Sequence, residues 1–161
     1  MSGKHGNRGG GRAWKRIAIL SLAINVGVGL WLLLASQGSE SEEVGYFIEE
    51  YFRTWSDRDL AAYGACFHPR ATIYFVDDEG LPQGSGLEPF LQSQAEVQRM
   101  AKSPMREVPT AVEIEIDGNI ARVRARWKLF KDEGEEVGTD YFTLLKTKSG
   151  WRILNLIFRK D

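Results

Sequence analysis

The chain of 161 residues has room for one ordinary globular domain and excludes a second. Residues 1–16 carry Lys4, Arg8, Arg12, Lys15 and Arg16 with no acid, and subtracting that +5 from the whole-chain −1 leaves −6 on residues 17–161. This argues against a nucleic-acid-binding domain held by phosphate contacts. The single cysteine, Cys66, excludes an internal disulfide, and His5 and His68 stand too far apart in sequence for a metal-ligand spacing.

The tail 1–16 is rich in glycine and polar residues, a composition that stays disordered. Residues 17–35, IAILSLAINVGVGLWLLLA, hold no charge. As a helix they extend about 28 Å, close to the hydrocarbon thickness of a bilayer. Trp14 and Trp31 lie near the two ends, and the basic flank before the run contrasts with Glu40, Glu42 and Glu43 after it. The pattern predicts one transmembrane helix with its N-terminus in the cytoplasm and the C-terminal domain extracytoplasmic. A cleaved signal peptide is the competing reading. Against it stand the length of the apolar run and the bulk of Leu33 and Leu34 ahead of the nearest cut sites. Asn25 within the span is either a helix-pairing amide or merely tolerated.

Residues 36–43, SQGSESEE, read as a polar linker, and residues 44–161 as the domain. Val44, Phe47, Ile48, Tyr51, Phe52 and Trp55 recur on one face of a helix. Ser56 with Asp59 resembles a capping box opening a second short helix that carries Leu60, Tyr63 and Phe67. His68-Pro69 stops it, and Ala71–Val76 follows as a strand. A turn-rich stretch, DDEGLPQGSG, leads to a third helix over 87–101. Four strands close the chain, at 108–116, 120–130, 137–147 and 151–159. Helices that precede a run of antiparallel strands predict an α+β fold with a curved sheet wrapped around three helices. Glu113 and Glu115 alternate with apolar residues on one strand, as Arg122, Arg124, Arg126 and Lys128 do on the next. These stripes are either an anion site or a solvated face of cross-strand pairs.

The phrase YFRTWSDRDLAAYGACFHPRATIYF and the closing SGWRILNLIF resemble the nuclear-transport-factor-2-like superfamily, in particular its SnoaL-like and ketosteroid-isomerase-like branches, over roughly residues 44–160. The resemblance implies a cone whose sheet and helices enclose a pocket. It also implies a homodimer formed through the outer face of the sheet. In the isomerase branch a helix tyrosine and a protonated late-strand aspartic acid form an oxyanion hole. Those positions fall on Tyr51 and Asp140 here, while the general-base position falls on Phe75, with Asp77 the nearest acid. Asn155 interrupts the apolar final strand where relatives place a pocket polar group. Trp55, Phe75 and Trp127 would make the cavity hydrophobic or serve simply as core.

Two functions follow from this reading. One is a membrane-anchored, non-catalytic module that binds a small apolar molecule or a protein, using Tyr51, Trp55, Phe75, Trp127, Asp140 and Asn155 as contacts. Its architecture is similar to tethered scaffold components of membrane complexes. The other is an isomerase-, dehydratase- or cyclase-like enzyme with Tyr51, Asp77 and Asp140 as acid-base groups; Phe75 at the base position weighs against it. No cofactor is implied, since the sequence has no phosphate-binding glycine loop and no metal-ligand cluster.

Overall fold

The structure, a computed structural model, describes residues 38–161 apart from Glu133. The expected disordered tail 1–16 and the expected transmembrane helix 17–35 lie outside the described residues. Among those described, no helix is long and apolar enough to cross a membrane. The expected linker 36–43 is corrected from residue 38 onward, where the first helix, α1, already runs and continues to residue 56. Glu40 and Glu43, one turn apart, both meet Lys146 Nζ, at 3.0 and 3.2 Å, which ties this turn to the domain.

The inner stripe of α1 is Val44, Ile48, Tyr51, Phe52 and Trp55, all buried at helical spacing. A left-handed Arg58, φ 60°, turns the chain after it. The second helix, α2 (Leu60–Ala65), is capped by Asp59, whose carboxylate accepts from the Ala62 N–H at 3.0 Å. The expected capping box at Ser56 therefore begins three residues late. The Ser56 hydroxyl is occupied elsewhere, accepting from the Glu107 N–H at 2.9 Å and donating to the Glu107 carbonyl at 3.0 Å.

Strand β1 (Phe67–Val76) starts four residues earlier than expected, and His68-Pro69 lies inside it. Its pairing with the last strand shifts register between Phe67 and Thr72, so Pro69 sits where the ladder is already broken. The stretch expected to be only turn contains β2 (Pro82–Gly86), where Gly84 lets the Tyr74 ring lie flat against the backbone. Then come α3 (Leu87–Met100), β3 (Arg106–Asp117), β4 (Ile120–Lys131), β5 (Gly134–Thr147) and β6 (Gly150–Lys160).

The fold is α+β, with a curved six-stranded sheet in the order β2-β1-β6-β5-β4-β3. An antiparallel sheet was expected; β1 and β6 run parallel, which makes it mixed. Parallel neighbours need a long connection, and everything from β2 to β5 supplies it. One face of the sheet carries Ala121, Val123, Ala125, Trp127, Phe142, Leu144, Ile153 and Leu156, which join the stripe of α1 in a single core.

Two β-bulges decide which side chains reach that inner face. On β3, Pro109 faces Trp127 and Ala111 faces Arg126, so Thr110 is the extra residue. Beyond it Glu113 and Glu115 point outward to Arg124 and Arg122, at 3.0 and 3.1 Å; before it Glu107 pairs with Leu129 on the inner face. On β6, Ile153 faces Leu144 and Asn155 faces Thr143, which makes Leu154 the extra residue. Each bulge reverses the alternation that the bare sequence implies.

Candidate ligand-binding site

Three rows of inward side chains cross the sheet at one end. Glu107, Leu129 and Glu136 form the outermost row; Pro109, Trp127, Gly138 and Lys160 the next; Val112, Ala125, Asp140 and Phe158 the third. Helices α1, α2 and α3 close the other side with Tyr51, Trp55, Tyr63, Phe90, Gln94 and Val97. Between them lies a cavity of about 220 Å³ that opens beside Glu136 and Lys160.

Asp140 is 4% exposed, and its Oδ1 accepts from the Trp127 indole N–H at 2.7 Å. This contact depends on Gly138, the register partner of Trp127: a Cβ there would meet the indole at 2.2 Å and the Arg159 carbonyl at 2.4 Å. A bare backbone at that point lets the indole lie across β5 and reach the acid two residues on. Burial pushes the Asp140 carboxyl up to about 7, against hydrogen bonds from Trp127 and Tyr51 that pull it down. The Tyr63 hydroxyl donates to that of Tyr51 at 3.0 Å, and burial holds both phenols well above their ordinary range.

Glu107 shares this interior. Burial first, then the charges of Asp140 and Glu136, push its carboxyl well above the usual range. Its backbone is held by Ser56, and its carboxyl has no hydrogen-bond partner among the described residues. Glu136 at the mouth behaves oppositely, because Lys131 hydrogen-bonds one oxygen and Lys160 meets the other at 3.0 Å, which lowers its pKa. The Trp55 N–H donates to Gln94 Oε1 at 2.9 Å, fixing one aromatic wall to α3.

Of the residues singled out in the sequence, Tyr51, Trp55, Trp127 and Asp140 converge on this cavity. Three do not. Phe75 packs against Phe158, ring centres 5.3 Å apart, away from the lining. Asp77 accepts from the Leu81 N–H at 2.7 Å and closes the β1–β2 turn, since β1 ends before it. Asn155 faces outward behind its bulge and donates to Thr72 Oγ1 at 3.0 Å. Sequence reasoning missed the polar lining residues Gln94, Glu107, Glu136 and Lys160, and of these Glu107 matters most because burial raises its carboxyl. Its one mark in the sequence is Pro109 two residues later, a strand proline that signals a bulge. Among the described residues no cluster of His, Cys, Asp and Glu is arranged to hold a metal ion.

The model of the family described as putative lumazine-binding matches residues 39–159. No curated protein matches the chain. Solved structures similar to it include Rv3472, a protein of unknown function from Mycobacterium tuberculosis, at 20% identity and TM-score 0.68, covering 80% of this chain and 75% of that one. A putative dehydratase of the NTF2-like family from Streptomyces avermitilis aligns at 14% identity and TM-score 0.66, over 78% of this chain and 98% of that one. A putative scytalone dehydratase from Novosphingobium aromaticivorans aligns at 11% identity and TM-score 0.67, over 79% and 87%. At these identities the likeness carries the NTF2-like fold.

Proposed function

We propose that this chain, which belongs to the putative lumazine-binding family, is a small-molecule-binding module whose site is the cavity at the open end of its sheet, carried outside the cytoplasm on an N-terminal membrane anchor. One observation carries the binding role: an aromatic cavity of about 220 Å³ holds two carboxyls, those of Glu107 and Asp140, which burial raises well above the usual range. A concave, largely apolar site in which a few polar groups of perturbed pKa converge is the usual form of a ligand position. The volume equals about seven waters at about 30 Å³ each, and falls below the roughly 300–1,000 Å³ of sites for drug-sized ligands. The ligand is accordingly small, of one or two rings.

An acid-base enzyme is the second reading, favoured by Asp140, whose carboxyl near 7 exchanges a proton at neutral pH. Against it, the position expected to hold the general base is Phe75, which packs against Phe158 away from the cavity.

Binding is tested by titrating the full-length protein with 2-naphthol and following the indole N–H signals of its tryptophans by NMR. Trp55 and Trp127 line the cavity and should shift, while Trp151, buried elsewhere in the core, should not. A titration that moves none of them, or Trp151 alone, removes this cavity as the site.

A further inference from the structure

Resting on that reading, we infer that the cavity selects a small aromatic base carrying one positive charge, an amidinium, guanidinium or protonated amine, whose N–H groups bridge Glu107 and Asp140. The cavity is lined by three carboxyls, those of Glu107, Glu136 and Asp140, and by one lysine, Lys160. Lys131 and Lys160 are both engaged by Glu136 at the mouth, which leaves the interior pair without a counter-charge from the protein. Asp140 accepts from Trp127 and Tyr51, and the Glu107 carboxyl has no hydrogen-bond partner among the described residues. Around them stand Tyr51, Trp55, Tyr63, Phe90, Trp127 and Phe158, whose ring faces attract a cation.

The charge of the site matches a monocation. Burial raises both carboxyls and their mutual repulsion opposes a second charge, so the pair takes up its two negative charges in separate steps. The titratable groups that line the cavity with Asp140 are Tyr51 on α1, Tyr63 on α2, Glu107 on β3, Glu136 on β5 and Lys160 on β6, and Lys131 on β4 meets Glu136. Both tyrosines stay neutral, and Glu136 stays ionised between its lysines. Asp140 is thus the group whose charge changes near pH 7. A cation entering below that pH must displace its proton.

The test compares benzamidine with benzamide, which have the same shape and differ in charge, by calorimetry on the full-length protein. Benzamidine should bind at pH 8 at least about tenfold more tightly, and its affinity should fall toward about tenfold per pH unit below 7, the limit for release of one proton. Proton release should appear as a dependence of the binding heat on buffer ionisation. Glu107→Gln and Asp140→Asn should each weaken benzamidine by about tenfold or more and leave benzamide within about threefold, a comparison that shows the fold is intact. Equal or tighter binding of benzamide overturns the inference and leaves the cavity as a binding site for neutral ligands. Benzamidine affinity untouched by both substitutions, or no proton release, also overturns it. If neither compound binds, the inference falls; the binding role itself falls only if 2-naphthol also fails.

Discussion

At Asp140 the same burial that makes a site also costs stability, and the sign of that cost is fixed by where the proton sits. An aspartate in the unfolded chain titrates near about 3.9, whereas in the fold Asp140 titrates at about 7. Between those values the unfolded chain is ionised while the native one holds its proton, so raising the pH favours unfolding until the native carboxyl ionises too. The contribution is complete below the unfolded value and is lost by the time pH passes the folded one. At about 1.36 kcal/mol per unit the ceiling is about 4 kcal/mol. Asp140→Asn keeps a neutral acceptor for the Trp127 N–H and has no charge to bury. Denaturant melts from pH 4 to 8 should therefore show wild-type stability falling relative to the variant across the range, with the difference constant above pH 8. Parallel curves would place Asp140 in contact with water.

At the scale of elements, the end of α1 and the edge of β3 are joined by one hydroxyl. β3 is the last strand of the sheet, so its outer N–H and carbonyl groups at Glu107 have no strand partner, and Ser56 bonds both. Ser56→Ala should cost about 1–2 kcal/mol in a denaturant melt, the range for orphaning part-buried backbone groups. It should also speed hydrogen exchange at the Glu107 amide. An unchanged exchange rate there would mean that water serves the edge equally well. This linkage was invisible in the sequence, where Ser56 read as a helix cap. Unlike the exposed β2, which has no such period, the core-building strands and helices were legible because their apolar periods, as at Val44, Ile48, Phe52 and Trp55, are set by the core they build. The bulges were not, because one extra residue leaves both flanking patterns intact and only their relative phase changes. That phase sent Glu107 inward and Asn155 outward. Asp140 and Tyr51 were legible since no bulge separates them from the regular alternation of their own elements.

Across the whole molecule, the outer face of the sheet is the surface from which a homodimer is expected. Register places Tyr74, Ile157 and Tyr141 side by side on β1, β6 and β5, each more than a third exposed, and continues through Arg124 to Glu113. The neighbouring row runs Thr72, Asn155, Thr143, Arg122 and Glu115. A two-fold pairing centred on this strip would set the apolar residues of one copy against those of the other, with the charged strands β4 and β3 at the rim. Five strand spacings of about 4.8 Å and ten residues of about 3.4 Å give a face of about 800 Å², the area each partner contributes to an interface of standard size. Light scattering on residues 38–161 at tens of micromolar, a range on the order of a weak-interface Kd, should return twice the monomer mass. Ile157→Lys puts a charge at the centre of the strip without touching the core, and should give a monomer whose denaturant midpoint, measured on the dissociated species, is within about 0.5 kcal/mol of wild type. A wild-type monomer at that concentration, or an Ile157→Lys protein that remains dimeric, would move the interface off this face and leave the tyrosine row as ordinary solvated sheet.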